Sequence, residues 1–233
     1  MTALEDILQR HPVWRGEALG RAAESIATGY AELDRELPGG GWPAGALTEI
    51  LGGGEGIGEL QLVLPALAAL TRAGRRVVWL APPHLPYAPA LAAAGVDLGH
   101  LAVVRAPGRR DALWAAEQAL RAGACRALLA WFPNARYAEL RRLAVAAESS
   151  RAFVALFRPA EAAQESSPAG LRVALAPAAG KLALHVLKRR GPPAAAPLEI
   201  PISRPVRAVD SARLPPASPR SGIARLRPVR SAA

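Results

Sequence analysis

Two apolar periodicities alternate along most of the chain. Short runs rich in Leu, Val and Ala at 46–51, 76–81, 101–105, 127–131, 152–157, 171–175 and 182–187 read as strands. Between them, 60–73, 88–94, 111–122 and 137–149 place apolar residues at i, i+3, i+4 spacing with Arg and Glu on the opposite side, which predicts amphipathic helices. Leu113, Ala116 and Leu120 on one helix, and Leu140, Leu143 and Ala147 on another, form the faces expected against a sheet. Strand and helix in alternation predict an α/β fold with a mostly parallel central sheet flanked by helices. The run at 127–131, Ala-Leu-Leu-Ala-Trp, is apolar throughout, as a strand buried on both faces requires. The last two runs have no helix between them and are joined across 177–180, so the sheet is expected to end in an antiparallel hairpin. Leu198-Glu199-Ile200-Pro201-Ile202 alternates as well, and its proline suits a sheet edge.

Composition narrows the classes. The 233 residues are 51% hydrophobic and 21% charged, enough apolar content for a substantial core. No run of ~18 uninterrupted apolar residues marks a membrane span. One cysteine, Cys125, excludes an internal disulfide, and its place before a buried run favours packing over reactivity. Met1-Thr2-Ala3-Leu4-Glu5-Asp6 is acidic where a secretory signal is basic, so a cytoplasmic location is expected. His11, His84, His100 and His185 are too dispersed for a ligand pair, and no metal site is expected.

Charge divides the chain further. Its formal net charge is +10, and every basic residue except Lys181 and Lys188 is arginine, a bias that GC-rich coding alone would produce. Seven of the arginines, Arg204, Arg207, Arg213, Arg220, Arg225, Arg227 and Arg230, fall after Gly191 together with nine prolines. This organisation predicts an N-terminal arm at 1–20, a core at 21–191 and a Pro/Arg-rich basic tail at 192–233, largely disordered beyond Asp210. Such a tail can attract phosphates in a weak, salt-sensitive and non-specific way, dock an acidic partner, or simply solubilise. In the arm, Trp14 and Arg15 form an aromatic and cationic pair suited to anchoring a partner.

One segment carries nucleotide-site features, Gly52-Gly53-Gly54-Glu55-Gly56-Ile57-Gly58-Glu59-Leu60, a glycine loop between a strand and a helix. Phosphate-binding loops of this kind need Gly-x-x-x-x-Gly-Lys-[Ser/Thr], in which backbone N–H groups wrap the phosphates, lysine neutralises them and a hydroxyl ligates Mg²⁺. Gly53 and Gly58 fit that frame, but Glu59 stands at the lysine position and Leu60 at the hydroxyl position. A unit charge pair at ~4 Å is worth roughly 4 kcal/mol at an effective dielectric of about 20, so Lys-to-Glu turns attraction into comparable repulsion. A strand-to-helix turn requiring positive φ explains the glycines without any ligand. Pro65 is expected to remove a hydrogen bond from the following helix and kink it.

With its flanks, the segment resembles the ATPase core of the RecA superfamily. Ser25-Ile26-Ala27-Thr28-Gly29 through Leu33-Asp34, then Leu37-Pro38-Gly39-Gly40-Gly41-Trp42-Pro43-Ala44-Gly45 and Glu49-Ile50, is similar to the lead-in of a RecA-type loop, and the likeness covers roughly 21–191. That resemblance implies a RecA-like core. It also marks departures: Ala81-Pro82-Pro83 stands where the family carries its catalytic glutamate, and Trp131 where it carries the Mg²⁺-organising aspartate. The expectation is a pseudo-ATPase with no cofactor.

A narrower resemblance, to the ImuA family, rests on His11-Pro12-Val13-Trp14-Arg15-Gly16, on Gly56-Ile57-Gly58-Glu59-Leu60-Gln61-Leu62 with Leu64-Pro65-Ala66-Leu67, and on Trp79-Leu80-Ala81-Pro82-Pro83. It implies a non-catalytic accessory factor of damage-induced (SOS) mutagenic translesion synthesis in bacteria. The implied partners are an ImuB-like inactive Y-family polymerase, RecA and an error-prone C-family polymerase. A SulA-like division inhibitor and an ATP-dependent RecA-like repair ATPase are the competing readings.

Overall fold

The computed structural model describes residues 24–54, 56–192 and 196–202. Their centre is an eight-stranded sheet. Its strands are β3 (Ala46–Gly52), β4 (Val77–Leu80), β5 (Leu101–Val104), β6 (Ala127–Trp131), β7 (Phe153–Pro159), β8 (Leu171–Ala178), β9 (Lys181–Lys188) and β10 (Leu198–Pro201), in the order β10-β9-β8-β3-β7-β6-β4-β5. The six strands from β8 to β5 pair in parallel; β9 and β10 add antiparallel. A separate small ladder, β1 (Ser25–Ile26) with β2 (Trp42–Pro43), carries the lead-in.

The helices are α1 (Ala31–Glu36), α2 (Glu59–Arg72), α3 (Ala88–Ala93), α4 (Arg109–Arg121) and α5 (Tyr137–Ser150). Successive residues of a strand face opposite sides of the sheet, and the core accordingly divides in two. Ile50, Trp79, Leu129, Phe153 and Phe157 meet α2 on one face, while Leu47, Leu80, Leu128, Val154 and Leu156 meet α4 and α5 on the other. Leu113, Ala116, Leu120, Leu140, Leu143 and Ala147 are all buried there, as the helical periodicity predicts. Strand β6 lies between β4 and β7 with Ala127–Ala130 wholly buried, in line with its unbroken apolar run.

One expectation is corrected. Pro177 lies inside β8, opposite Leu182, so the hairpin turn shortens to Ala179-Gly180. Proline is tolerated there because β3 pairs with β8 only as far as Leu175, which leaves the Pro177 nitrogen with no ladder bond to make on that side. Helix α2 runs through Pro65 without a break. Strand β10 continues the sheet past residue 191, burying Ile200 and capping the β9 edge. Among the described residues no helix is long and apolar enough to cross a membrane.

Candidate functional site

The site is built where β3 gives way to α2, at the C-terminal edge of the parallel strands. Open α/β sheets bind ligands at this edge. The loop turns through left-handed Gly56 (φ 77°) and Gly58 (φ 107°), and Gly58 opens α2. Its backbone N–H groups form the kind of concavity that elsewhere cradles an anion. Here the anion is supplied by the chain itself. Glu59 Oε1 accepts from the Gly56 N–H at 3.1 Å and Oε2 from the Gly58 N–H at 3.1 Å. The carboxylate also sits in the first turn of α2, where the helix dipole favours negative charge by about 0.3–1 kcal/mol. Leu60 turns to the hydrophobic core. Ile202 closes over the loop so tightly that a Cβ at position 58 would stand 3.1 Å from its Cδ1.

Above the loop lies a cleft of about 280 Å³. Trp131 and Phe157 stack along it with ring centroids 4.8 Å apart, and Trp79 tilts against Trp131 at 5.7 Å. Gly53, Gly54, Pro83, Pro133, Glu59 and Glu161 complete most of the wall. Ala81, at the end of β4, adopts φ 50°, an unusual conformation for a residue with a Cβ. A triphosphate with Mg²⁺ does not fit these groups. Two N–H groups of the cradle, Gly56 and Gly58, are taken by Glu59, the cleft adds carboxylates rather than cations, and the Trp131 and Ala81 side chains offer no oxygen to a metal or a water. Among the described residues no cluster of three His, Cys, Asp or Glu could hold a metal.

Beneath the cleft is a charged network that the sequence reading passed over. Glu49 on β3 is completely buried and bridges two arginines, Arg158 Nη1 at 2.9 Å and Arg172 Nε at 2.6 Å. Arg158 Nη2 also donates to Glu165 Oε2 at 2.7 Å and to the Ala135 carbonyl at 3.2 Å. Arg172 Nη2 donates to the Ala162 carbonyl at 2.6 Å, tying the 3₁₀ turn Ala160–Gln164 to the sheet. The signal was present: a charged residue inside an otherwise apolar, buried strand has to be paired, and Glu49, Arg158 and Arg172 each sit in one.

The lead-in holds the loop's helix in place. The Thr28 N–H donates to Asp34 Oδ1 at 2.8 Å, and Thr28 Oγ1 accepts from the Tyr30 N–H at 3.0 Å. Gly29 (φ 89°) lies so close to Pro65 that a Cβ there would meet the proline Cβ at 2.4 Å. Pro65 has no N–H to offer the Gln61 carbonyl four residues back, and the Tyr30 phenol donates to that carbonyl instead at 2.9 Å. The substitution of one donor for another accounts for the unbroken helix. Burial raises the Tyr30 pKa above its usual value.

Of the sequence-predicted positions, the structure brings Gly53, Gly58, Glu59 and Trp131 to one site, with Leu60 alongside in the core. Trp14 and Arg15, and Arg204, Arg207, Arg213, Arg220, Arg225, Arg227 and Arg230, lie outside the described residues. Cys125 is buried, and desolvation pushes its thiol up to about 11.

Residues 45–154 match the family model described as cell division inhibitor SulA. A cell division inhibitor SulA from Edwardsiella piscicida is 35% identical over 103 residues, covering 44% of this chain and 61% of that protein. Protein RecA from Crocosphaera subtropica is 35% identical over 109 residues, 47% of this chain and 31% of RecA. RecA from a Synechocystis species gives 35% over 109 residues and 30% of its length. The core is SulA-like and RecA-related. The chain spans about three fifths of the SulA relative and under a third of the RecA relatives. The SulA-like stretch runs from the residue before β3 to the second residue of β7. It therefore contains the glycine loop, Glu59 and Trp131 but ends before Arg158 and Arg172, which complete the buried network from outside it.

Proposed function

We propose that this SulA-like, RecA-related protein is a pseudo-ATPase that serves as a non-catalytic accessory factor in damage-induced mutagenic translesion synthesis. It acts through protein contacts with an ImuB-like inactive Y-family polymerase, and with RecA and an error-prone C-family polymerase as further partners. The observation that carries the reading is Glu59 seated in the N–H cradle of its own loop, at 3.1 Å from both Gly56 and Gly58 nitrogens. Phosphoryl transfer needs a lysine, a metal and a placed water or base acting together. A loop whose own carboxylate takes its N–H groups, with Trp131 across the cleft, supplies none of them. Relatedness to RecA supports placing the protein among partners of the damage response. The basic tail would add weak, salt-dependent contact with DNA.

Deleting the gene tests the reading: damage-induced mutation frequency should fall and be restored by the intact gene. The companion polymerase-like protein should co-purify with the tagged full-length chain. The family match also favours a second reading, inhibition of cell division. Filamentation upon overproduction, with unchanged induced mutagenesis in the deletion strain, would decide for it.

A further inference from the structure

The wall of the cleft above the glycine loop has an unusual chemistry for its place in the fold. Its accessible polar side chains are two carboxylates, Glu59 and Glu161, and the Arg158 guanidinium lies buried behind the wall. Arg158 is already neutralised by Glu49 and Glu165, and Arg172 shares Glu49, so that network is balanced within itself. Among the described residues no cation pairs with Glu59 or Glu161. Glu59 spends one acceptor site of each oxygen on the loop and keeps the others, since an ionised carboxylate offers about four lone-pair sites. The cleft is thus net acidic at the position where a nucleotide-binding relative needs positive charge.

Two further features point to the shape of an occupant. The partly buried Trp131 ring, backed by Phe157, lines the cleft, with Pro83, Pro133 and Pro159 as apolar side walls. Guanidinium groups favour this combination, stacking on an aromatic face while forking onto carboxylates. At about 280 Å³ the space is below the range of about 300–1,000 Å³ typical of drug-sized ligands and matches one long side chain.

We infer that this cleft is a docking site for an arginine side chain presented by a partner protein: its guanidinium lies between Trp131 and the Glu59 and Glu161 carboxylates. The inference rests on the reading that the glycine loop does not hold a nucleotide, and it turns an ancestral anion site into a cation site.

Calorimetric titration of the full-length protein with acetyl-Gly-Arg-Gly-amide, its citrulline counterpart and MgATP separates the outcomes. Citrulline keeps the shape of arginine and removes its charge. The arginine peptide should bind saturably and roughly 10-fold more tightly than the citrulline peptide. Glu161→Gln, at an exposed position where folding is unaffected, should weaken it by about 2- to 5-fold, as for a part-exposed ion pair. No saturable arginine binding, or equal binding of the two peptides, overturns the proposal and leaves the pseudo-ATPase reading standing. Saturable MgATP binding that displaces the arginine peptide overturns both.

Discussion

Tyr30 and Pro65 make a double-mutant cycle whose outcome follows from a single missing hydrogen. Pro65 cannot donate to the Gln61 carbonyl, and the Tyr30 phenol fills that role at 2.9 Å. Removing the hydroxyl with Tyr30→Phe leaves a part-buried carbonyl without a partner, a loss of about 1–3 kcal/mol. In a chain of this size each kcal/mol lowers the melting temperature by about 2–4 °C. In a Pro65→Ala background residue 65 regains its N–H and can donate to Gln61 itself, so the same Tyr30→Phe change should cost only a few tenths of a kcal/mol. The expected coupling is about 1–2 kcal/mol, well above the roughly 0.3–0.5 kcal/mol scatter of independent sites. Chemical denaturation of the four proteins, with the slope compared to confirm a common transition, measures it. The cycle cancels the effect of proline on the unfolded chain, which would otherwise obscure Pro65→Ala. Equal losses in both backgrounds would refute the account of how α2 tolerates its proline.

Glu49→Ala strands two arginines in the interior and should destabilise by about 3–5 kcal/mol, whereas Glu165→Ala, whose side chain is 56% exposed, should stay within about 1 kcal/mol by the same denaturation assay. Cys125 should resist alkylation in the native protein at pH 8 and react only at the rate of opening, since its thiol is held up to about 11 from an ordinary 9.0. The sign follows from linkage: the fold favours the neutral thiol, so this contribution is intact below pH 9 and is lost as pH rises through about 11, a loss that Cys125→Ala should abolish. Truncation after Gly191 removes β10, with buried Ile200 and the Ile202 contact over Gly58, and should melt at a lower temperature than truncation after Ile202.

Most of the scaffold was legible because it is written in periodicity. The continuous run at 127–131 and the helical faces at Leu113 and Leu140 each reflect burial, which acts on residue type directly. What the periodicities could not convey was compensation between distant residues. Pro65 alone implies a lost hydrogen bond, and only the fold brings the Tyr30 hydroxyl, 31 positions away in sequence from the carbonyl it serves, to that carbonyl. Pro177 alone implies a turn, and only the strand order shows that β3 stops pairing before it. Glu49, Arg158 and Arg172 are separated by 109 and 123 positions, so their pairing has no local signature beyond a charge in an apolar strand. At the loop, the exchange of lysine for Glu59 was plain from the motif. Its consequence, a carboxylate folded back onto the loop's own N–H groups, required the geometry.

Calorimetric titration of the full-length protein with MgATP tests the central claim directly. With Glu59 occupying the cradle, the account predicts no saturable heat at millimolar nucleotide; a dissociation constant in the micromolar range would contradict it.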